Sequence, residues 1–209
     1  MKSVALKILH SLERMRAFGV AGVVSLSLAV GGCIPTILGA GATTGVAVAQ
    51  ERSVGGAIDD STVQLAIQGK LLDRSRGLFV KVGIEVDEGR VLLTGVVPKP
   101  EDRVTAARIA WDTDGVKEVL NELQVTDKSS LVSYAKDAWI TTRLRAKVLG
   151  DEKIIGINYT VETVNGVVYL LGIAQGADEL KHVTEHARNI GGVKEVVSHV
   201  RFKDDPRRR

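Results

Sequence analysis

The sequence has few of the residues on which several classes of protein depend. Its 209 residues include one cysteine, Cys33, so a framework of intramolecular disulfides is excluded. A surplus of basic residues is also missing from most of the chain. The formal charge is +3, but residues 1–32 hold four basic side chains and one acidic side chain, so residues 33–209 sum to zero. Because the body of the chain carries no basic field, we expect no nucleic-acid partner.

Signals of catalysis are scarce as well. The chain has no G-x-S-x-G nucleophile motif. His182, Glu185 and His186 match the H-x-x-E-H spacing of a zinc motif, but a catalytic zinc also needs a third ligand and a cleft. Only 23 residues follow His186. We interpret the histidines as a surface pair, with adventitious metal binding as the alternative, and predict no enzyme activity, no metal site and no cofactor.

A segment of different character precedes the body of the chain. Basic residues up to Arg16 are followed by an apolar run at 17–30, whose 14 residues are fewer than the roughly 20 that a membrane-spanning helix needs. This pattern is typical of a signal peptide, which we place at 1–32. Residues 33–56 are rich in glycine and alanine, and they are predicted to form a flexible tether.

The sequence VGGC at 30–33 resembles the lipobox of bacterial lipoproteins. The resemblance implies cleavage before Cys33, a thioether-linked diacylglycerol and a fatty acyl group such as palmitate on the new N-terminus. Several acyl chains anchor a protein stably, whereas one is marginal. Ile34 and Pro35 follow in place of the aspartate that retains lipoproteins in the inner membrane. The implied location is therefore the outer membrane, facing the periplasm. A buried thiol or an intermolecular disulfide is the alternative for Cys33.

The rest of the chain is a duplication. A shift of 77 residues aligns 60–127 with 137–204 without a gap, and 15 positions are identical, including the run GVKEV. Two copies are too few for a solenoid, so each copy is predicted to be a small domain. We place the domains at 57–128 and 136–205, with a basic tail at 206–209.

Each copy predicts the order αββαβ. Helices are expected at 60–72 and 101–112 in the first copy and at 137–149 and 178–189 in the second. Between them, alternating strands that include Val80 or Ile157 run into a hairpin turn, DEGR or VNGV, and a second strand. The third strands are expected at 117–125 and 194–202, after a right-handed crossover. The predicted fold class is α+β, with a three-stranded mixed sheet and two helices on one face in each domain.

The segments GRVLLTG and GVVYLLG, each followed by a helix and GVKEV, resemble the BON domain, a small bacterial module. With the lipobox, the tether and the segment ERSVGGAIDD, the chain resembles the outer-membrane lipoproteins that carry two BON domains. The resemblance implies a non-catalytic role in outer-membrane integrity and binding of anionic phospholipid, chiefly by the second domain. Gly95 and Gly172 correspond to the characteristic glycine of the family, and we expect them to allow close backbone approach at a strand end.

The helix at 137–149 supports a difference between the copies. Ile140, Leu144 and Val148 share one face, yet the opposite side is not polar in the way that a solvated helix face normally is. Under the 77-residue shift, Thr62, Ala66 and Gln68 of the first copy replace a tryptophan and two arginines of the second. Tryptophan suits the headgroup boundary, and arginine suits phosphate. The candidate phospholipid-binding residues are Trp139, Thr142, Arg143, Arg145, Ala146 and Leu149.

Two alternatives remain for this face of the helix. It packs against the first domain, or it binds another protein, which would make the chain a scaffold for the outer-membrane assembly, division or cell-wall machinery. A second tryptophan, Trp111, lies late in the second helix of the first copy. We expect Trp111 in the core or at the domain interface.

Overall fold

The structure, a computed structural model, describes residues 54–126 and 131–208. The predicted signal peptide, Cys33 and the tether as far as residue 53 lie outside the described residues, as does the last residue of the basic tail. Both repeats belong to one compact unit, Ala40–Arg209. None of the helices in the described ranges combines the length and the apolar composition that a membrane span requires.

The first domain contains two helices, a strand hairpin, a third helix and a divided strand. In chain order these are α1 (Val54–Arg74), α2 (Arg76–Lys81), β1 (Val82–Asp87), β2 (Arg90–Val97), α3 (Pro100–Trp111), β3 (Glu118–Asn121) and β4 (Gln124–Val125). β1 is antiparallel to β2, and β3 and β4 both pair with β2 in parallel. The predicted third strand is thus interrupted, but Leu93 opposite Asn121 and Val96 opposite Gln124 keep the same register.

The second domain repeats this order with an uninterrupted third strand. Its elements are α4 (Leu131–Gly150), a 3-10 helix (Gly156–Asn158), β5 (Tyr159–Val164), β6 (Val167–Ala174), α5 (Ala177–Arg188), β7 (Glu195–Phe202) and a final 3-10 turn (Pro206–Arg208). β5 is antiparallel to β6 and β6 is parallel to β7. This is the predicted three-stranded mixed sheet, and the α+β prediction is confirmed.

Three predicted boundaries are wrong. Val80 lies in α2, where the Ser75 hydroxyl caps the helix by accepting a hydrogen bond from the Leu78 backbone N–H at 3.4 Å. Ile157 lies in the 3-10 helix that precedes β5. The alternation of β-branched residues continues past each strand, so it does not mark where the strand begins. Helix α1 starts at residue 54, so the end of the predicted tether at 33–56 is already helical.

Each domain has its own core between the helices and one face of the sheet. The first helix of each domain contributes residues at four-residue spacing, because that spacing places side chains on one face. These residues are Val63, Ile67 and Leu71 in α1 and Ile140, Leu144 and Val148 in α4. Alternate residues of the central strands, such as Val91 and Leu93 in β2 and Val168 and Leu170 in β6, complete the two cores.

An aspartate in the second turn of each first helix, Asp60 in α1 and Asp137 in α4, holds the hairpin turn of its own domain. Both central residues of each turn have positive φ, which is the type I′ geometry that suits twisted strands. The bonds run from the backbone N–H groups of Glu88 and Gly89 to Asp60, both at 2.9 Å, and from those of Asn165 and Gly166 to Asp137, at 2.6 and 2.8 Å. The identity of Asp60 and Asp137 in the two copies therefore has a structural cause.

The two sheets pack against each other through the faces that their helices leave uncovered. Leu92 of β2 packs with Tyr169 and Leu171 of β6, and partly buried residues of both sheets surround them. The layers therefore follow the order helices, sheet, sheet, helices. This seam is formed by the sheets, so the alternative in which the outer face of α4 packs on the first domain does not describe how the domains meet.

Acidic and basic residues that meet across the seam are divided between the two domains. Three contacts join Glu88 with Arg208 at 2.9 Å, Glu118 with Arg201 at 2.7 Å and Glu122 with His199 at 2.9 Å. In each contact the carboxylate belongs to the first domain and the basic side chain to the second. Because two copies of the same domain would oppose like charges, this arrangement favours pairing of the first domain with the second. Arg208 gives the basic tail a structural role that the sequence did not indicate.

Arg90 is the most deeply buried charge of the seam, with 2% of the residue exposed. Its guanidinium pairs with Asp87 at 2.7 Å and donates to the backbone carbonyls of His199, at 2.6 Å, and Gly172, at 3.3 Å. Its counterpart in the second domain is Val167. A buried arginine that bonds to the backbone of the neighbouring domain ties the two sheets together in one orientation.

Candidate functional site

Helix α4 has two apolar sides, as its sequence predicts. Ile140, Leu144 and Val148 are buried in the core of the second domain. On the opposite side Val132 is 78% exposed and Trp139 is 50% exposed, and Ala146 is exposed as well. We call this side, formed by Val132, Ala135, Trp139, Thr142, Arg143 and Ala146, the outer face of α4. A helix needs only one buried side to fold, so the outer face is available for binding.

A shallow open pocket lies in the middle of the outer face. Its volume is about 410 Å³ and its lining includes Trp139, Thr142, Arg143 and Ala146, four of the six candidate residues. The Arg143 guanidinium carbon lies 5.7 Å from the centroid of the Trp139 ring, which is a cation–π contact. The Thr142 hydroxyl donates to the Ala138 carbonyl at 2.8 Å, so its hydrogen-bonding need is met within the helix. The pocket therefore combines an indole, a guanidinium and small side chains.

A row of basic residues runs along one side of the outer face. Lys136, Arg143 and Lys147 are exposed and stand at positions i, i+7 and i+11. This spacing places them within about 40° of one another around the helix axis. None of the three makes an ion pair with another described residue. The comparison of the two copies did not identify Lys136 and Lys147. Their helical spacing from Arg143 is the sequence feature that would have grouped the three basic residues on one side of α4.

Arg145 points to a different part of the domain. Its guanidinium donates to the Val161 carbonyl and to the Glu162 carboxylate, both at 2.8 Å. Burial raises the pKa of Glu162, and the charge of Arg145 opposes that effect. In the first domain Gln64 donates to the Ile84 carbonyl, the counterpart of Val161, at 2.7 Å. Arg145 thus donates to an outward-facing carbonyl of the edge strand β5, and Gln64 makes the equivalent contact to β1 in the first domain.

Leu149 lies outside the pocket. It is exposed, but on the helix it is rotated by about 80° from Trp139. A Cβ atom added at Gly156 would come within 3.0 Å of the Leu149 Cδ2 atom, so this side chain lies over the 3-10 helix. The structure therefore brings together Trp139, Thr142, Arg143 and Ala146, and it places Arg145 and Leu149 apart from them.

Gly95 and Gly172 lie at points of close backbone contact. Their φ angles are +120° and +137°, which side chains rarely adopt. A Cβ atom at Gly95 would overlap the carbonyl oxygen of Lys81, and one at Gly172 would overlap that of Asn158. In each domain the glycine lets the central strand pass directly beside the chain that enters the first strand.

The histidine pair of α5 and Trp111 of α3 both lie away from this pocket. His186 contacts the Asp151 carboxylate at 2.7 Å. The pKa of Asp151 is lowered by the backbone N–H of Lys153 and then by His186. Among residues 54–126 and 131–208, no group of three or more His, Cys, Asp or Glu side chains is arranged to hold a metal ion. Trp111 is 54% exposed, so the prediction that it lies in the core or the domain interface is wrong.

Comparison with known proteins agrees with the repeat. The family model of the BON domain matches residues 59–127 and residues 136–204. An uncharacterised protein of Anaplasma centrale is 41% identical over 153 residues, which are 73% of this chain and all of that protein. The outer membrane lipoprotein DolP of Haemophilus influenzae is 32% identical over 174 residues, covering 83% of this chain and 90% of DolP.

A third relative is the osmotically inducible protein Y of Escherichia coli. It is 28% identical over 152 residues, which are 72% of this chain and 76% of that protein. A structural protein of the type III secretion system of Chlamydia trachomatis, CdsD, matches 68% of this chain with 16% identity and a TM-score of 0.29. That score is too low to carry an argument.

Proposed function

Because the chain belongs to the BON-domain family and contains two BON domains, we propose that it is an outer-membrane lipoprotein that binds anionic phospholipid through the outer face of α4. Its role is to support the integrity of the outer membrane, and this role is non-catalytic. The similarity to the outer membrane lipoprotein DolP supports the location. The lipobox-like sequence that ends at Cys33 supports the lipid anchor.

The observation that carries the proposal is the composition of the outer face. An exposed indole sits beside an exposed guanidinium, and Lys136 and Lys147 extend the positive charge along the same side of the helix. Amphipathic helices that lie in a membrane interface combine apolar and basic side chains in this way. Tryptophan is suited to the headgroup level, because its ring is apolar and its N–H stays hydrated.

The magnitudes favour a weak contact that depends on the anchor. A basic side chain near an anionic surface contributes about 1 kcal/mol, so the three cations together contribute roughly 3 kcal/mol. Burial of the Trp139 side chain adds about 1.5–3 kcal/mol. Lipidation of Cys33 holds the domains near the membrane, and a tethered weak binder acts at high effective concentration.

Vesicle co-sedimentation of residues 40–209, the compact unit that holds both domains, tests the proposal. We expect binding to vesicles that contain phosphatidylglycerol and none to pure phosphatidylcholine. Trp139→Glu removes the indole and adds a charge that anionic lipid repels, so we expect at least tenfold weaker binding. The matched control is Thr62→Glu, the same change at the corresponding position of α1, which should leave binding unchanged.

Substitutions of basic residues in α4 distinguish a loss of vesicle binding from a loss of stability. Arg143→Ala with Lys147→Ala should weaken binding and flatten its dependence on salt, because fewer charges contribute. Arg145→Ala should lower the melting temperature and leave the salt dependence unchanged, because Arg145 bonds to β5. If the wild-type fragment binds neither kind of vesicle, the lipid role is wrong, and the scaffold alternative accounts for the exposed face.

The anchor is tested separately in the full chain. Cys33→Ala removes the atom that would carry the diacylglycerol, so we expect an unprocessed precursor and loss of radiolabelled palmitate incorporation. Incorporation that persists in this variant would contradict the anchor. Cys33→Ser is the matched control for steric effects and should behave in the same way.

A further inference from the structure

The end of α1 and the short helix α2 of the first domain carry a second surface in which exposed apolar and basic side chains occur together. We call it the α2 tip, and it consists of Leu72, Arg74, Arg76, Phe79, Val80 and Lys81, all of them exposed. Val80 is 73% exposed, among the highest values for a large apolar side chain in the described chain. Leu78 is the buried residue that attaches α2 to the core of the first domain.

Three of the six positions of the α2 tip differ in kind between the two copies. Under the 77-residue shift Arg74 corresponds to Asp151, Phe79 to Gly156 and Lys81 to Asn158. The second domain has a single 3-10 turn at this place, and Asp151 there is paired with His186. Leu72, Arg76 and Val80 correspond to the similar residues Leu149, Lys153 and Ile157, so the first copy differs through Arg74, Phe79 and Lys81. These three residues add charge and apolar surface that the second copy lacks at this place.

The positive charge of the α2 tip is not neutralised within the described structure. Arg74, Arg76 and Lys81 make no ion pair or hydrogen bond between side chains in that part of the chain. Asp73 is the one acidic residue between positions 72 and 81. Three cations and three exposed apolar side chains thus occur within ten residues, with a net charge of +2.

The α2 tip adjoins the beginning of helix α4. Val80 and Lys81 line one wall of a cleft of about 360 Å³ between the domains, and Tyr134 of α4 lines the other wall. Tyr134 is 76% exposed, and it lies on a different side of α4 from Val132 of the outer face, because two residues rotate the helix by about 200°. Exposed side chains of both domains, Val80 and Tyr134, therefore line the same cleft.

We propose that the α2 tip is a second contact with an anionic lipid surface, so that both domains touch the membrane. This inference rests on the proposed function, since it adds a contact to the same membrane. Its charge complements anionic headgroups, and its apolar side chains suit the acyl boundary. A stable protein partner requires about 1,000 Å² of buried surface, and six side chains on a single short helix and its approach offer much less.

Site-directed labelling tests the α2 tip directly. Residues 40–209 contain no cysteine, so Val80→Cys creates one labelling position for an environment-sensitive fluorophore. With vesicles that contain phosphatidylglycerol and spin-labelled lipid, we expect the label at position 80 to be quenched. Val132→Cys is the positive control on the outer face of α4. Trp111→Cys, an exposed apolar position on α3, is the negative control.

The outcomes separate this proposal from the proposed function. Quenching at position 132 without quenching at position 80 overturns the second contact and leaves the first intact. No quenching at either position, with no co-sedimentation, overturns both. A label at position 80 that responds to a periplasmic protein and not to vesicles assigns the α2 tip to a protein partner and also overturns the proposal.

Charge removal gives a second measurement. Each cation near an anionic surface contributes about fivefold to binding, so Arg74→Ala with Lys81→Ala should weaken vesicle binding on the order of twentyfold. Arg108→Ala with Lys117→Ala removes two exposed cations of the same domain elsewhere. That pair should change binding less than threefold. Equal losses of vesicle binding in both double variants would mean that only the net charge of the protein matters. That result would contradict a specific contact at the α2 tip.

Discussion

The first helices of the two domains, α1 and α4, are built on the same plan and differ where they are exposed. Both bury three aliphatic residues at four-residue spacing, and both hold a hairpin turn through an aspartate at equivalent positions. On the exposed side, Thr62 and Ala66 of α1 correspond to Trp139 and Arg143 of α4. The duplication preserved the interactions that fold each domain and left the outer surfaces free to diverge.

The comparison also distinguishes Arg145 from Arg143. Both arginines are absent from the first copy, so the sequence alone makes both of them candidate binding residues. The structure ties Arg145 to the edge strand β5, where Gln64 of the first domain satisfies the corresponding carbonyl, whereas Arg143 stacks on an exposed indole. A residue that is specific to one copy is therefore not always a functional residue, since it sometimes replaces a structural contact made from another position.

The largest expected effect concerns Arg90, which the second domain replaces with Val167. Arg90→Val removes the guanidinium partner of Asp87 and two bonds to the second domain, so the free energy of unfolding should fall by about 4 kcal/mol. Urea unfolding followed by circular dichroism measures the change. Arg108→Val, at an exposed position of α3, is the matched control and should cost less than about 1 kcal/mol. A similar loss in both variants would mean that the seam does not depend on Arg90.

The glycines at the strand crossings should be equivalent in the two domains. Gly95→Ala and Gly172→Ala each force a Cβ atom against a carbonyl oxygen at positive φ, so each should cost about 3 kcal/mol. Gly69→Ala provides a control of opposite sign, because Gly69 is an exposed helical residue with open space around it. That substitution should stabilise the protein by about 1 kcal/mol. Tolerance of alanine at position 95 or 172 would refute the close approach.

The turn contacts should also be equivalent. Asp60→Ala and Asp137→Ala each leave two backbone N–H groups of a type I′ turn without their acceptor, at a cost of about 2 kcal/mol. Thermal unfolding compares the two variants, and we expect losses of the same size. If only one variant is destabilised, the two turns are not held in the same way, despite their matching distances.

The smallest effect concerns Asp151, whose counterpart Arg74 belongs to the α2 tip. The pKa of Asp151 is lowered in the folded state, so its contribution to stability is present above the ordinary carboxyl pKa and is lost as the pH falls through the lowered value. Asp151→Asn should therefore lower the melting temperature at pH 6, and its difference from wild type should shrink as the pH falls below the ordinary carboxyl pKa. A difference between variant and wild type that grows at low pH would have the wrong sign.

Periodicity and the internal repeat predicted most of the fold. The αββαβ order, the mixed sheet and the buried residues Ile140, Leu144 and Val148 follow from local patterns that determine both structure and burial. Val80 and Ile157 were misplaced because β-branched alternation does not distinguish a strand from a short helix that precedes it. The interruption between β3 and β4 leaves the register unchanged, so the sequence contains no sign of it.

The candidate site was predictable only in part. Trp139, Thr142, Arg143 and Ala146 share one side of a helix, and helical spacing is sufficient to group them. The direction of the Arg145 side chain depends on β5, which is distant in sequence, and no local pattern reports it. The packing of the two sheets could not be predicted for the same reason, because the contacts of Arg90 join residues that are 82 and 109 positions apart.

Entry of the outer face of α4 into the membrane interface can be measured directly, because the chain contains two tryptophans, Trp111 and Trp139. Trp111→Phe leaves Trp139 as the single indole, and Trp139→Phe leaves Trp111; both are about half exposed in the wild-type protein. The emission of each variant of residues 40–209 is recorded with phosphatidylglycerol vesicles that contain brominated acyl chains. We predict that Trp139 emission shifts to the blue and is quenched, and that Trp111 emission does not change. Unchanged Trp139 emission from protein that sediments with the vesicles would contradict entry of the outer face of α4 into the membrane interface.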